Sequence, residues 1–249
     1  MVTLRSHLLG ALVVLPLLAT AGEIKVISTV AAKSTLEALK PMFERSTSHT
    51  LNITFGTSVP LKRQIDAGEA FDVTILTPPL VEDLARSGKV DAATKVDVAR
   101  SGLALAGRKY APPTDIASPD ALKRALVSAK GVSYSKEGQS GIAAAKLIER
   151  LGLTEELKPR VIVDTRSGGS LMAIEEGKAD LGFALVSEVL AAPGVAFIGP
   201  MPAELQSYMV LTAGTSASAK DAAASKAFVD FLKSEEARAV MKQKGMEGL

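Results

Sequence analysis

Short apolar runs alternate along this chain with segments whose apolar residues recur every three or four positions. The runs read as buried strands and the periodic segments as amphipathic helices, an alternation that predicts an α/β fold with mainly parallel sheets. Glu23 to Ser28 is the first strand, followed by a helix with Leu36, Leu39, Met42 and Phe43 on one face. Leu51–Phe55 and Asp72–Leu76 are the next strands, trailed by helices over Leu61–Ala67 and Pro79–Ser87. Strands are further expected within Lys95–Leu105 and over Gly131–Tyr134, Val161–Val163, Leu181–Leu185, Val195–Ile198 and Ser207–Thr212. Gly141–Leu151 reads as a helix stopped by Gly152, and Asp221–Lys233 and Glu235–Lys244 as a closing helix pair with Ser234 as the cap between them. Ser118-Pro119 reads as an N-cap with proline at the first helical position, and Ser34-x-x-Glu37 as a capping box.

The simplest arrangement of these units is two α/β lobes joined by two crossings. The first lobe takes residues 22–100 and 206–249, and the second takes 101–205. Ligands of such sheets bind beyond the carboxyl ends of parallel strands, so two facing lobes imply a cleft that closes by a hinge.

Composition narrows the chemistry. The chain has 29 Lys+Arg against 27 Asp+Glu, without a basic block, and few aromatic residues, so no nucleic-acid partner is expected. The absence of cysteine excludes thiol catalysis, cysteine-ligated zinc and iron–sulfur clusters. No G-x-S-x-G elbow, P-loop, dinucleotide fingerprint or H-E-x-x-H motif occurs, and neither a cofactor nor a metal is expected. Arg5, the apolar run Leu8–Leu18 and Ala19-Thr20-Ala21 read as an export signal over residues 1–21. Its removal takes Arg5, leaving 28 Lys+Arg against 27 Asp+Glu. His49 is then the one remaining histidine and reads as part of a surface turn.

Two strand-to-helix junctions carry the candidate chemistry. Phe55-Gly56-Thr57-Ser58 opens one helix, and Asp164-Thr165-Arg166-Ser167-Gly168-Gly169-Ser170 opens another. A helix N-terminus presents unpaired N–H groups and the positive end of the macrodipole, which suits an anion. Thr29, Val30 and Ala31, after the first strand, and Ser140 with Gly141, after the fifth, would face the same cleft. The candidate ligand-binding set is therefore Thr29, Val30, Ala31, Thr57, Ser58, Ser140, Arg166, Ser167, Gly168, Gly169 and Ser170.

Three ordered segments resemble the periplasmic molybdate-binding protein family, the solute-binding subunits of ABC importers. They are Phe55-Gly56-Thr57-Ser58 with Gln64-Ile65-x-x-Gly68 and Phe71-Asp72-Val73, Ile174-Glu175-x-Gly177-Lys178-Ala179-Asp180-x-Gly182, and Ala227-Phe228-Val229-Asp230-Phe231-Leu232-x-Ser234-x-Glu236-Ala237. The resemblance implies a two-lobed periplasmic binding protein, monomeric, that takes a small anion and docks on an inner-membrane ABC permease. It also implies an oxyanion ligand held by a serine where this chain has Ala31 and by a tyrosine where it has Leu185. With those two missing and Arg166 available for two-pronged contact, an organic carboxylate is the expected ligand. Gln139-Ser140-Gly141 and the stretch Gly199 to Gln206 resemble a branch of substrate-binding proteins in the same superfamily. That superfamily also contains a periplasmic aconitate isomerase, so a proton-shifting enzyme is the rival expectation. Lys33, Tyr134 or Asp164 would be its general base.

Overall fold

A computed structural model describes residues 22–136 and 138–249; the expected export signal lies outside them. In chain order the elements are β1 (Glu23–Thr29), α1 (Lys33–Ser46), β2 (Thr50–Gly56), α2 (Ser58–Asp66), β3 (Val73–Leu76), α3 (Pro78–Arg86), β4 (Val96–Arg108), α4 (Pro119–Ser128), β5 (Val132–Ser135) and α5 (Gln139–Arg150). There follow α6 (Thr154–Leu157), β6 (Val161–Asp164), α7 (Gly169–Glu175), β7 (Leu181–Leu185), α8 (Val186–Leu190), β8 (Val195–Pro200), β9 (Tyr208–Thr215), α9 (Ala222–Leu232), α10 (Glu235–Gln243) and β10 (Glu247–Gly248).

Two trios of parallel strands are present. β1 lies between β2 and β3, and β5 lies between β6 and β7. Antiparallel strands join them into one curled sheet of order β2-β1-β3-β9-β4-β7-β5-β6, with β8 and β10 also on β4. The long strand β4 makes the passage. Up to Gly102 it pairs with β9, and from Leu103 it pairs with β7.

Alternation along β4 shows why helices cover both faces. Leu103 and Leu105 enter a core with Leu122 and Leu126 of α4 and Leu147 of α5, whereas Ala104 and Ala106 meet Ile174 of α7 and Val189 of α8. On the other trio, Ile24 and Val26 face α1, α9 and α10 around Phe43 and Phe228, whose rings meet edge-on at 5.1 Å. Ile27 points the opposite way, to Leu61 and Ile65 of α2 and Leu84 of α3.

Several local expectations hold, and one does not. Ser118 and Ser234 each accept a backbone N–H at the start of α4 and α10 as expected, and Asp221, expected only as the first residue of its helix, does the same at α9. Gly152 takes φ +69° past the end of α5, a left-handed position that favours glycine. The capping box at Ser34 does not form. A 3₁₀ turn over Val30–Ala32 runs straight into α1, so Ser34 lies inside the first turn with no free start to cap. The five-residue α8 is shorter than two helical turns, so no periodicity announced it.

Candidate functional site

Five of the helical starts that follow a strand share one property, and α8, where Glu188 takes the Leu185 N–H, stands apart from them. The residues before the Val30–Ala32 turn and before α2, α3, α5 and α7 are Thr29, Thr57, Thr77, Gly138 and Gly168, and none of their side chains caps the helix that follows. Among the helices that do not follow a strand in this way, α4, α9 and α10 are capped by the side chains of Ser118, Asp221 and Ser234, and the four-residue α6 is uncapped. The Val30–Ala32 turn and the starts of α2 and α5 therefore keep N–H groups that a bound anion can take, whereas α3 opens on Pro78 and Pro79, which have none, and its Leu80 N–H is spent on the Thr77 carbonyl.

On the first trio, Thr29 is buried and Thr57 and Ser58 are half-buried. Ala31 is buried and Val30 half-buried, and their loop is tied from across the chain. The Ser187 hydroxyl donates to the Ala31 carbonyl at 3.3 Å, while the Ser187 N–H donates to Ser101 Oγ at 3.2 Å. Ser101 in turn donates to the Gly245 carbonyl at 3.0 Å. This relay joins the Thr29–Ala31 loop, β4, α8 and the C-terminal segment.

The start of α5 is set by a close approach. A Cβ at Gly141 would fall on the carbonyl oxygen of Ser135, so only glycine lets the helix sit directly on the end of β5. This contact brings Ser140, 5% exposed, to the mouth of the sheet.

The start of α7 is differently employed. Arg166 donates through Nη2 to Asp164 at 2.6 Å and through Nη1 to Glu176 at 2.7 Å. Its side-chain hydrogen bonds hold the carboxyls of both Asp164 and Glu176 at about 2, below the usual range. The same two carboxylates raise the guanidinium pKa. The expected ligand clamp is thus already closed on two internal carboxylates, because both lie within reach of one planar fork. Ser170 is likewise engaged. Its hydroxyl donates to the Ser133 carbonyl at 3.1 Å and Ser133 returns a bond to the Ser170 carbonyl at 2.8 Å, pinning α7 to β5. Gly169 makes room for the Asp164 side chain, and Gly168 supplies a left-handed turn at φ +71°. Ser167 stays exposed at that turn.

The expected bases fare unequally. Lys33 is exposed and sits 3.8 Å from Glu37, Tyr134 packs half-buried against the α4–α5 core, and Asp164 is a weakened base inside its ion pair. Glu188, which the sequence reading passed over, accepts the Leu185 N–H at 2.9 Å at the carboxyl end of β7, and burial pushes its carboxyl up. Its only sequence signal is its place three residues after Leu185, where a glutamate can reach back to a helix start. No group of three or more His, Asp or Glu placed to hold a metal occurs among the described residues.

This architecture, two parallel trios bridged by β4 with open helix starts on each, is that of the two-lobed periplasmic binding proteins with an interlobe cleft. Residues 24–247 match the family described as bacterial extracellular solute-binding protein, and the chain belongs to it. An aconitate isomerase from a Pseudomonas species is 26% identical, covering 96% of this chain and 94% of its own. The molybdate-binding protein ModA of Rhodobacter capsulatus is 27% identical over 93% of this chain and 90% of its own. Among solved structures, the periplasmic molybdate-binding protein of Azotobacter vinelandii superposes with a TM-score of 0.76 at 24% identity, covering 90% of this chain and 98% of that one. No helix among the described residues is long and apolar enough to cross a membrane.

Proposed function

We propose that this protein is the periplasmic receptor of an ABC importer and closes two lobes on a small organic carboxylate. The observation that carries the reading is the set of uncapped helix starts above both parallel trios. Thr29, Val30, Ala31, Thr57 and Ser58 supply contacts from residues 22–100 and 206–249, and Ser140 supplies them from residues 101–205. The change of partner along β4 between Gly102 and Leu103 supports a hinge there. Arg166 and Ser170 serve the scaffold in this reading, and Ser167, Gly168 and Gly169 shape the turn that carries them. Carboxylate is preferred to molybdate because Ala31 and Leu185 present aliphatic surface where the molybdate-binding resemblance implies hydroxyls. The similarity to an aconitate isomerase supports the same preference. The receptor is a monomer exported by removal of residues 1–21.

A thermal-shift panel of molybdate, tungstate, sulfate, phosphate, citrate and both aconitates, followed by calorimetry on each stabiliser, tests this. A ligand that binds only the folded chain raises its melting temperature. Stabilisation by a carboxylate with none by molybdate is the expected result, and the reverse would refute the preference. One observation favours a second reading as an isomerase: the half-buried Glu188 sits at the carboxyl end of β7 on the Leu185 N–H, and desolvation raises its carboxyl pKa, as suits a general base. Under that reading, cis- and trans-aconitate interconvert in an NMR tube with the wild type and not with Glu188→Gln.

A further inference from the structure

Beside the start of α5 lies a groove of about 300 Å³ that none of the expected ligand contacts line. It begins at Gln139, the first residue of α5, and runs along Ile142, Lys146 and Arg150 of that helix, with Leu185 and Tyr208 opposite. Its volume is at the lower end for small-molecule sites. The Tyr208 wall is held in place, since the Arg100 guanidinium stacks 4.2 Å above the ring and is itself anchored on Glu247 at 2.6 Å. Lys146 and Arg150 stand four residues apart and so share a helix face. Neither takes part in a salt bridge among the described residues. The groove therefore combines an apolar wall with two positive charges that have no salt-bridge partner among the described residues.

We propose that this groove is the second half of the ligand site and selects an elongated organic dianion. One acid group sits at the open start of α5, the hydrocarbon body lies along Ile142 and Leu185, and the distal acid group meets Lys146 and Arg150. The proposal rests on the reading of the helix starts as an anion site. Seven residues from Gln139 to Lys146 correspond to about 10 Å of helix. Helical side chains lean back toward the N-terminus, which shortens the gap the ligand must span by about one turn. The same reckoning leaves about 5 Å to Lys146 and about 11 Å to Arg150, and four to six carbons between two carboxylates, about 6–9 Å, place the distal group between those two cations. A compact tetrahedral oxyanion reaches only one end of it.

Calorimetry on the full mature chain with succinate, adipate, suberate, octanoate and sulfate tests the idea. Adipate or suberate is expected to bind at least about tenfold more tightly than succinate and octanoate, as two charge-assisted contacts replace one. Lys146→Gln/Arg150→Gln should erase that advantage while leaving succinate within about twofold, with an unchanged circular dichroism spectrum because both side chains are exposed. Equal affinities for succinate and suberate, or for octanoate and suberate, would overturn the groove proposal and leave the anion site standing. If none of these anions binds, nor any of the panel above, the anion reading fails and the groove proposal with it.

Discussion

Gly141→Ala is the substitution for which the structure makes the sharpest forecast. The added methyl would meet three atoms of Ser135, its O, C and Cα, all of them backbone, so no side chain can swing away to relieve the contact. The start of α5 must lift off β5. Ala144, Leu147 and Ile148 of the same helix are locked in the core with Leu122 and Phe183 and resist the movement. Overpacking of this kind costs about 1–3 kcal/mol, and a backbone clash belongs in the upper part of that range. For a chain of this size, about 2–3 kcal/mol corresponds to a fall in Tm of about 4–12 °C. The lift also withdraws Ser140 and the α5 N–H groups from the cleft. Losing one charge-assisted hydrogen bond costs about 1.5–3 kcal/mol, or at least about tenfold in affinity. Differential scanning fluorimetry and calorimetry with the tightest anion of the panel measure both effects. Gly152→Ala is the control. Its left-handed φ of +69° imposes strain at the far end of α5 with open space around the Cβ, so stability falls while affinity holds. A Gly141→Ala protein with unchanged Tm would refute the packing argument. A lowered Tm with unchanged affinity would remove the start of α5 from the site.

Ser170→Ala breaks the paired bonds with Ser133 and should lower stability by about 1 kcal/mol in denaturant unfolding, with anion affinity unchanged; a loss of affinity at constant stability would make Ser170 a ligand contact after all. Arg166→Ala removes the partner that holds Asp164 and Glu176 at about 2, so its deficit relative to wild type should be full above pH 4.5 and shrink as pH falls toward 2. A pH-independent deficit would contradict that assignment. Glu188 has a folded pKa raised above its usual 4.5, so its ionisation opposes folding as pH rises. Glu188→Gln should therefore match wild type below pH 4.5 and gain on it at higher pH. Ser187→Ala removes the hydroxyl that donates to the Ala31 carbonyl and should cost about 1 kcal/mol. Faster hydrogen exchange in the Thr29–Ala31 loop would accompany it, and unchanged exchange would show that Ser187 does not hold that loop.

The sequence by itself determined the longer elements, because their signals are carried by near neighbours, but not the short α6, α8 and β10. A four-residue run such as Val73–Leu76 is buried at every position, and the helix face of Leu36, Leu39 and Phe43 repeats at helical spacing. The N-caps at Ser118 and Ser234 and the stop at Gly152 are equally local. The family pattern lay in the same short-range spacings. The tertiary structure alone decided which polar groups are already taken. Arg166 looks free in the sequence, but the fold brings Glu176, at the far end of α7, within reach of a guanidinium that already holds Asp164. Ser170 looks like a ligand contact until Ser133, 37 residues away, closes on it. Glu188 carries no signal of its own until α8 packs between β4 and the C-terminal segment and its carboxyl takes the Leu185 N–H. Helix and strand formation follows backbone hydrogen bonding and side-chain periodicity within a few residues, whereas the availability of a donor or acceptor depends on partners that only the folded chain brings together.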